Sequence, residues 1–306
     1  MAKKISVIGA GAVGATLAQR IIESGIADVV LVDILKNVAA GKALDLLDAS
    51  PVVGHECNII GTDDYAQTKD SDIVVITAGL PRKPGMTREE LISKNAGIVK
   101  AVSESIKKHS PSAMVIVVTN PLDVMTYLAL KIMGSGRNKV FGMAGVLDGA
   151  RMAYLIAEEL KVKRSTVETV VLGSHGETMV PVLSRTKVFG KPVTGLMPKD
   201  KLDKIVKRTC DRGAEIVSLL GTGSAFYSPS AATLKMIKAI INDTKETLTV
   251  SALLEGEYGL KDVCIGVPCV IGKSGMEKVI ETDLSKEEKE AFLKSASAIK
   301  SSIDIL

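Results

Sequence analysis

Apolar residues in the first 145 positions recur in two alternating ways. Short runs that are apolar on successive residues, at 5–8, 29–33, 58–60, 73–78, 114–119 and 140–143, predict strands buried on both faces. Between them, helical spacing at 12–24, 37–48, 87–108 and 122–133 predicts crossover helices, the third opening on Thr87-x-x-Glu90, a capping-box pattern. Strand and helix in regular turn predict an α/β fold built on a doubly wound parallel sheet of the Rossmann kind.

From about residue 148 the rhythm changes. A helix is expected at 148–161, strands at 167–173 and 180–189, a long amphipathic stretch at 198–220 and a further helix at 226–242. Hairpin-like runs follow at 248–258, 262–271 and 276–281, with Lys273-Ser274-Gly275 as a turn, and a Lys/Glu-rich helix at 285–303 closes the chain. This half reads as α+β. No internal repeat or Pro/Ser-rich linker separates the two, so residues 1–145 and 146–306 are expected to pack closely as two domains.

Composition narrows the function classes. Hydrophobic residues make up 46% of the 306, yet none of their runs approaches the ~18 needed for a membrane span. The N-terminus enters its first strand with no export leader, which predicts a cytoplasmic location with no membrane partner. A formal charge of +4, with Lys and Arg interleaved among Asp and Glu, argues against a nucleic-acid partner, and 3% aromatic residues with no Trp leave few side chains to stack on bases. Cys57, Cys210, Cys264 and Cys269 have no zinc-motif spacing and read as reduced thiols, so no metal is expected.

Gly9-x-Gly11-x-x-Gly14 follows the first strand directly and opens a helix. In that setting the first glycine permits a tight turn, the second lets backbone approach a pyrophosphate, and the third allows close helix–strand packing. Asp33 ends the second strand, where a carboxylate accepts hydrogen bonds from ribose hydroxyls and repels a 2′-phosphate. NAD is therefore the expected cofactor, with Gly9, Gly11, Gly14 and Asp33 binding it; Lys36 close by weakens the case against NADP.

Further candidates gather at the carboxyl ends of the predicted strands, where open α/β sheets bind ligands. The loop Leu80 to Arg88 carries Arg82 and Arg88, whose planar forks suit carboxylate or carbonyl oxygens, or whose charges are simply solvated. Asn120-Pro121 ends the fifth strand and offers an amide. Asp148-x-x-Arg151 places a carboxylate and a guanidinium on one helix face, as a binding pair or an internal salt bridge. His175, in the glycine-flanked Gly173-Ser174-His175-Gly176, is the candidate for acid/base work, whereas His55 and His109 have no constellation around them.

Five stretches in order resemble the lactate/malate dehydrogenase family, and within it the lactate-dehydrogenase-like malate dehydrogenases. They are Ile8 to Gly14, Ala78 to Arg88, Val118 to Asp123, Gly145 to Arg151 and Gly173 to Gly176. The resemblance implies reversible hydride transfer between NAD and a 2-hydroxy acid, with His175 as general acid/base and Asp148 orienting its ring. It implies that Arg151 binds the carboxylate beside the reacting carbon, that Arg88 polarises the carbonyl, and that Asn120 touches substrate or cofactor. Arg82, where the lactate enzymes typically carry Gln, implies a second substrate carboxylate and so malate and oxaloacetate; lactate, or a broader range of 2-keto acids, is the alternative. A homo-oligomer is also implied, a tetramer rather than a dimer. An NAD-dependent glycosidase would want a Cys where Thr119 stands, and a non-catalytic NAD sensor has no use for His175, Asp148 and both arginines together.

Overall fold

The computed structural model describes residues 3–81 and 86–306. In chain order its first half comprises β1 (Lys4–Ile8), α1 (Ala12–Glu23), β2 (Asp28–Val32), α2 (Lys36–Asp48), the single turn α3 (Ser50–Val53) and β3 (Ile59–Thr62). It continues with β4 (Ile73–Ile76), α4 (Arg88–His109), β5 (Met114–Val117), α5 (Leu122–Met133) and β6 (Val140–Met143). These six strands are parallel in the order β3-β2-β1-β4-β5-β6, the doubly wound arrangement. The central runs Ile73–Ile76 and Met114–Val117 are buried at every position, because helices cover both faces. Both strands stop two residues earlier than their apolar runs suggest. The Thr77 hydroxyl donates to the carbonyls of Ile8 and Gly9, and that of Thr119 to Ala78, so the carboxyl edge is cross-linked by side chains where the ladder ends.

The second half comprises α6 (Gly145–Leu160), β7 (Val167–Glu168), β8 (Val171–Gly173), β9 (Met179–Pro181), β10 (Lys187–Val188), β11 (Lys191–Pro192), α7 (Lys199–Leu220) and α8 (Tyr227–Ile241). It ends with β12 (Glu246–Glu255), β13 (Lys261–Gly272), β14 (Gly275–Val279) and α9 (Lys286–Ile303). β12 pairs antiparallel with β6, so the sheet runs on without a break through β12, β13, β8 and β9. A long hairpin, β12 with β13, and the tight turn at Lys273-Ser274 supply most of the second half's ladder.

Three expectations change. The run 167–173 is two strands in two sheets: β7 joins β10 and β11, whereas β8 joins β13. The run 180–189 is broken by a 3-10 turn at Leu183–Arg185, where the Thr186 hydroxyl donates to the Val182 carbonyl. The helix expected from residue 148 begins at Gly145, a position where a Cβ would come within 2.3 Å of the Val171 carbonyl oxygen. That earlier start puts Asp148 inside the first turn.

Candidate active site

Gly9 has φ +107 and a Cβ there would meet the Ala78 backbone nitrogen at 2.8 Å, so the turn after β1 admits only glycine. At Gly14 a Cβ would come within 1.9 Å of the Gly9 carbonyl oxygen, which seats α1 directly on that turn. Gly11 differs. A Cβ there would meet nothing within 4 Å, and as N-cap of α1 it gives no side chain to the helix's first N–H groups. Open space before an uncapped helix N-terminus suits an anionic pyrophosphate. Asp33 accepts the Ala10 N–H at 2.7 Å and the Leu35 N–H at 2.9 Å, so it also holds the glycine turn, a duty its position in sequence did not disclose. Lys36 pairs with Asp63 at 3.7 Å, which engages the cation next to Asp33.

At the same sheet edge the His175 Nδ1 lies 2.8 Å from Asp148 Oδ2, and Arg151 Nη1 lies 3.3 Å from Asp148 Oδ1. One carboxylate thus joins the three residues that sequence singled out. Asp148 is 1% exposed and the His175 and Arg151 side chains are each 12% exposed. Burial alone pulls down the imidazole's proton affinity. The charge and hydrogen bond of Asp148, with the charge of Asp123, outweigh it against the opposition of Arg151, so His175 sits above the ordinary histidine value. Arg151 Nε is buried with no hydrogen-bond partner among the described residues.

The His175 turn is gripped from several elements. Its backbone N–H donates to Asp123 on α5 at 2.9 Å, the Ser174 N–H donates to Ser295 on α9 at 2.9 Å, and Gly173 lies against Gly266 of β13. Asn95 of α4, fully buried, bonds both backbone groups of Leu80 and donates to the Asn120 carbonyl at 2.7 Å, which joins the loop after β4 to the end of β5. Asn120 itself is exposed at that edge. Asp123, Asn95, Ser295 and Arg212, whose charge reaches Arg151 from α7, were not read as site residues. Their partners lie tens of residues away, and the one available signal was a polar residue at an apolar helix position, as with Asn95. Arg88 opens α4, exposed, above a capping box in which the Thr87 hydroxyl accepts the Glu90 N–H at 3.1 Å. Arg82 lies outside the described residues.

A cavity of about 380 Å³ lined by Lys3, Asp72, Ser110, Lys139 and Lys273 lies at the opposite edge of the parallel strands, and none of the candidate residues lines it. Among the described residues no cluster of His, Cys, Asp or Glu could hold a metal ion, and no helix is long and apolar enough to cross a membrane.

Residues 3–142 match the lactate/malate dehydrogenase NAD binding domain, and residues 145–305 match the lactate/malate dehydrogenase alpha/beta C-terminal domain. The chain belongs to the lactate/malate dehydrogenase family. Its first half is accordingly the NAD-binding unit of an NAD-dependent oxidoreductase. The malate dehydrogenase of Desulforudis audaxviator is 50% identical over 298 residues, 97% of this chain and 96% of that one. Among solved structures, Cryptosporidium parvum malate dehydrogenase superposes with a TM-score of 0.97 at 42% identity, covering 99% of this chain and 98% of that one. The lactate dehydrogenase of the same organism, complexed with lactic acid and β-nicotinamide adenine dinucleotide, also gives 0.97, at 39% identity over 100% and 98% of the two chains. Backbone shape is therefore common to both branches of the family, and the choice of substrate rests on side chains.

Proposed function

We propose that this family member interconverts malate and oxaloacetate with NAD, residues 1–145 serving the cofactor and 146–306 the substrate. The observation that carries the reading is the Asp148 carboxylate that joins the Arg151 guanidinium to a buried imidazole, taking its Nδ1. A carboxylate paired with Arg151 would set the adjacent carbonyl toward the ring's remaining nitrogen.

With Nδ1–H committed to Asp148, Nε2 of His175 carries the mobile proton: it is given to the keto oxygen on reduction and taken from the hydroxyl on oxidation. Arg151 holds the carboxylate next to the reacting carbon, and Arg88 draws charge from the carbonyl oxygen. Arg82 takes the second carboxylate, which pyruvate lacks, and Asn120 contacts substrate or cofactor at the sheet edge. The open space at Gly11, the α1 N-terminus and Asp33 would hold NAD, and bound NAD supplies the hydride exchange. About 50% identity to proteins named malate dehydrogenase, together with Arg82, favours the dicarboxylate over lactate.

The test is NADH oxidation with oxaloacetate and with pyruvate, repeated with NADPH. Oxaloacetate with NADH is the fastest pair; pyruvate as the better substrate overturns the reading. Assembly as a homotetramer belongs to the same proposal and is supported by the exposed Leu44, Val52, Val53 and Ile60 on the adjoining α2, α3 and β3. Sedimentation at micromolar concentration tests it. Four free thiols, two of them fully buried, support a reducing, cytoplasmic setting.

A further inference from the structure

Behind the His175 turn lies a second buried carboxylate. Asp123, the second residue of α5, is 3% exposed. Its Oδ2 accepts the His175 backbone N–H at 2.9 Å and its Oδ1 accepts the Ser251 hydroxyl at 2.7 Å. Ser251 lies on β12 opposite Gly142 of β6 and is fully buried, so both carboxylate oxygens are engaged inside the protein.

An asparagine would keep an acceptor for the His175 N–H but turn an amide donor toward Ser251, whose hydroxyl donates here, and Asp123 also takes a side-chain hydrogen bond from Ser174. Burying an ionised group is costly, and the three donors offset that cost without giving the charge a use. Its position supplies an account. Asp123 stands three residues beyond Asn120 and holds the backbone of His175, whose ring Asp148 holds.

We infer that Asp123 is a positioning residue for the acid/base step, a second carboxylate that anchors the His175 turn and favours the imidazolium over the neutral ring. The inference rests on the role proposed for His175. Charged groups facing His175 among the described residues are Asp148 and Arg151 from α6 and Asp123 from α5, while the Cys264 thiol of β13, which burial keeps neutral, lies near Asp123. Burial pushes the Asp123 carboxyl up, opposed by the Ser251, His175 and Ser174 hydrogen bonds and the imidazole charge, so its proton and that of His175 are linked.

The chain has three histidines, so ring signals in ¹³C-histidine NMR can be assigned by the one that His175→Asn removes. In Asp123→Asn the His175 titration midpoint falls, and by less than when the charge of Asp148 is removed. The alkaline limb of oxaloacetate reduction moves down with it, kcat drops, and KM for NADH stays unchanged. Ser251→Ala keeps the carboxyl but removes a donor that favours its charge, and gives a smaller shift in the same direction; it carries the test alone if Asp123→Asn does not fold. A lower Tm with the His175 midpoint and pH profile unmoved overturns the inference and leaves Asp123 a scaffold. Full turnover in His175→Asn would instead refute the role of His175 itself, whatever the NMR shift in the Asp123 variants.

Discussion

Asp33 Oδ2 accepts the Ala10 backbone N–H at 2.7 Å, so the residue that faces the cofactor's ribose in the proposed reading also fastens the turn on which the pyrophosphate rests. In that reading NADH is preferred over NADPH, since a 2′-phosphate would meet like charge at Asp33. Asp33→Ser narrows the preference and also weakens NADH binding, because a hydroxyl cannot reproduce both backbone contacts. Equal kcat/KM for the two cofactors in the unaltered protein contradicts this placement.

Substitution of the glycine that seats α1 is more disruptive. In Gly14→Ala the new methyl carbon meets the Gly9 carbonyl oxygen at 1.9 Å, and backbone must shift to relieve it. Overpacking of this kind typically costs about 1–3 kcal/mol. Thermal unfolding at lower temperature together with a loss of NADH affinity, measured by fluorescence titration, is the expected result. Gly11→Ala keeps its Tm, since its Cβ has open space, yet loses cofactor affinity.

Removal of the proton donor separates chemistry from binding. His175→Asn is expected to lower turnover by roughly 10²–10⁴ while NADH affinity holds, because the glycine turn and Asp33 are untouched. In the proposed mechanism reduction needs the imidazolium, and the raised proton affinity of His175 keeps it available above the ordinary value of 6.5. Reduction of oxaloacetate therefore declines only as pH passes that raised pKa, and malate oxidation rises across the same window. Profiles of kcat/KM in both directions check this; two limbs falling on the same side exclude His175 as the shared group.

In the proposed reading substrate choice turns on Arg82. Beside pyruvate's methyl group an unpaired guanidinium in a closed site lacks its partner, a loss of about 3–5 kcal/mol, or roughly two to four orders of magnitude in kcat/KM. Arg82→Gln depresses oxaloacetate reduction steeply and moves the ratio towards pyruvate, whereas Arg88→Gln depresses both substrates together. An unchanged ratio in Arg82→Gln would remove the main support for malate.

The parallel half was legible in sequence because strands covered on both faces must be apolar at successive positions, and because Gly9, Gly11 and Gly14 sit where a turn and a helix start need them. His175, Asp148 and Arg151, which the structure brings together, stood out because each lies in a short motif, and the family resemblance gave them their expected roles. The strands near 167–189 were not resolved, since alternation reveals that a segment is extended but not which neighbour it pairs with, and β7 and β8 take different ones. Asp123 was legible only as the end of a motif. Its meaning depends on Ser251, 128 residues further on, and no local pattern carries that distance.

The ladder between β6 and β12 has a further consequence for how the molecule could be divided. A fragment ending near residue 145 would carry β6 as a bare, wholly apolar edge, open to pairing with other chains, and would leave Asp123 facing the space that Ser251 fills. A fragment beginning there would expose the matching edge of β12 and lose the anchor of its own histidine turn. Neither fragment is a self-sufficient module. Gene fusions or swaps that exchange one half for that of a relative are therefore constrained to bring the seam residues Gly142, Met143, Val250 and Ser251 along as a matched set.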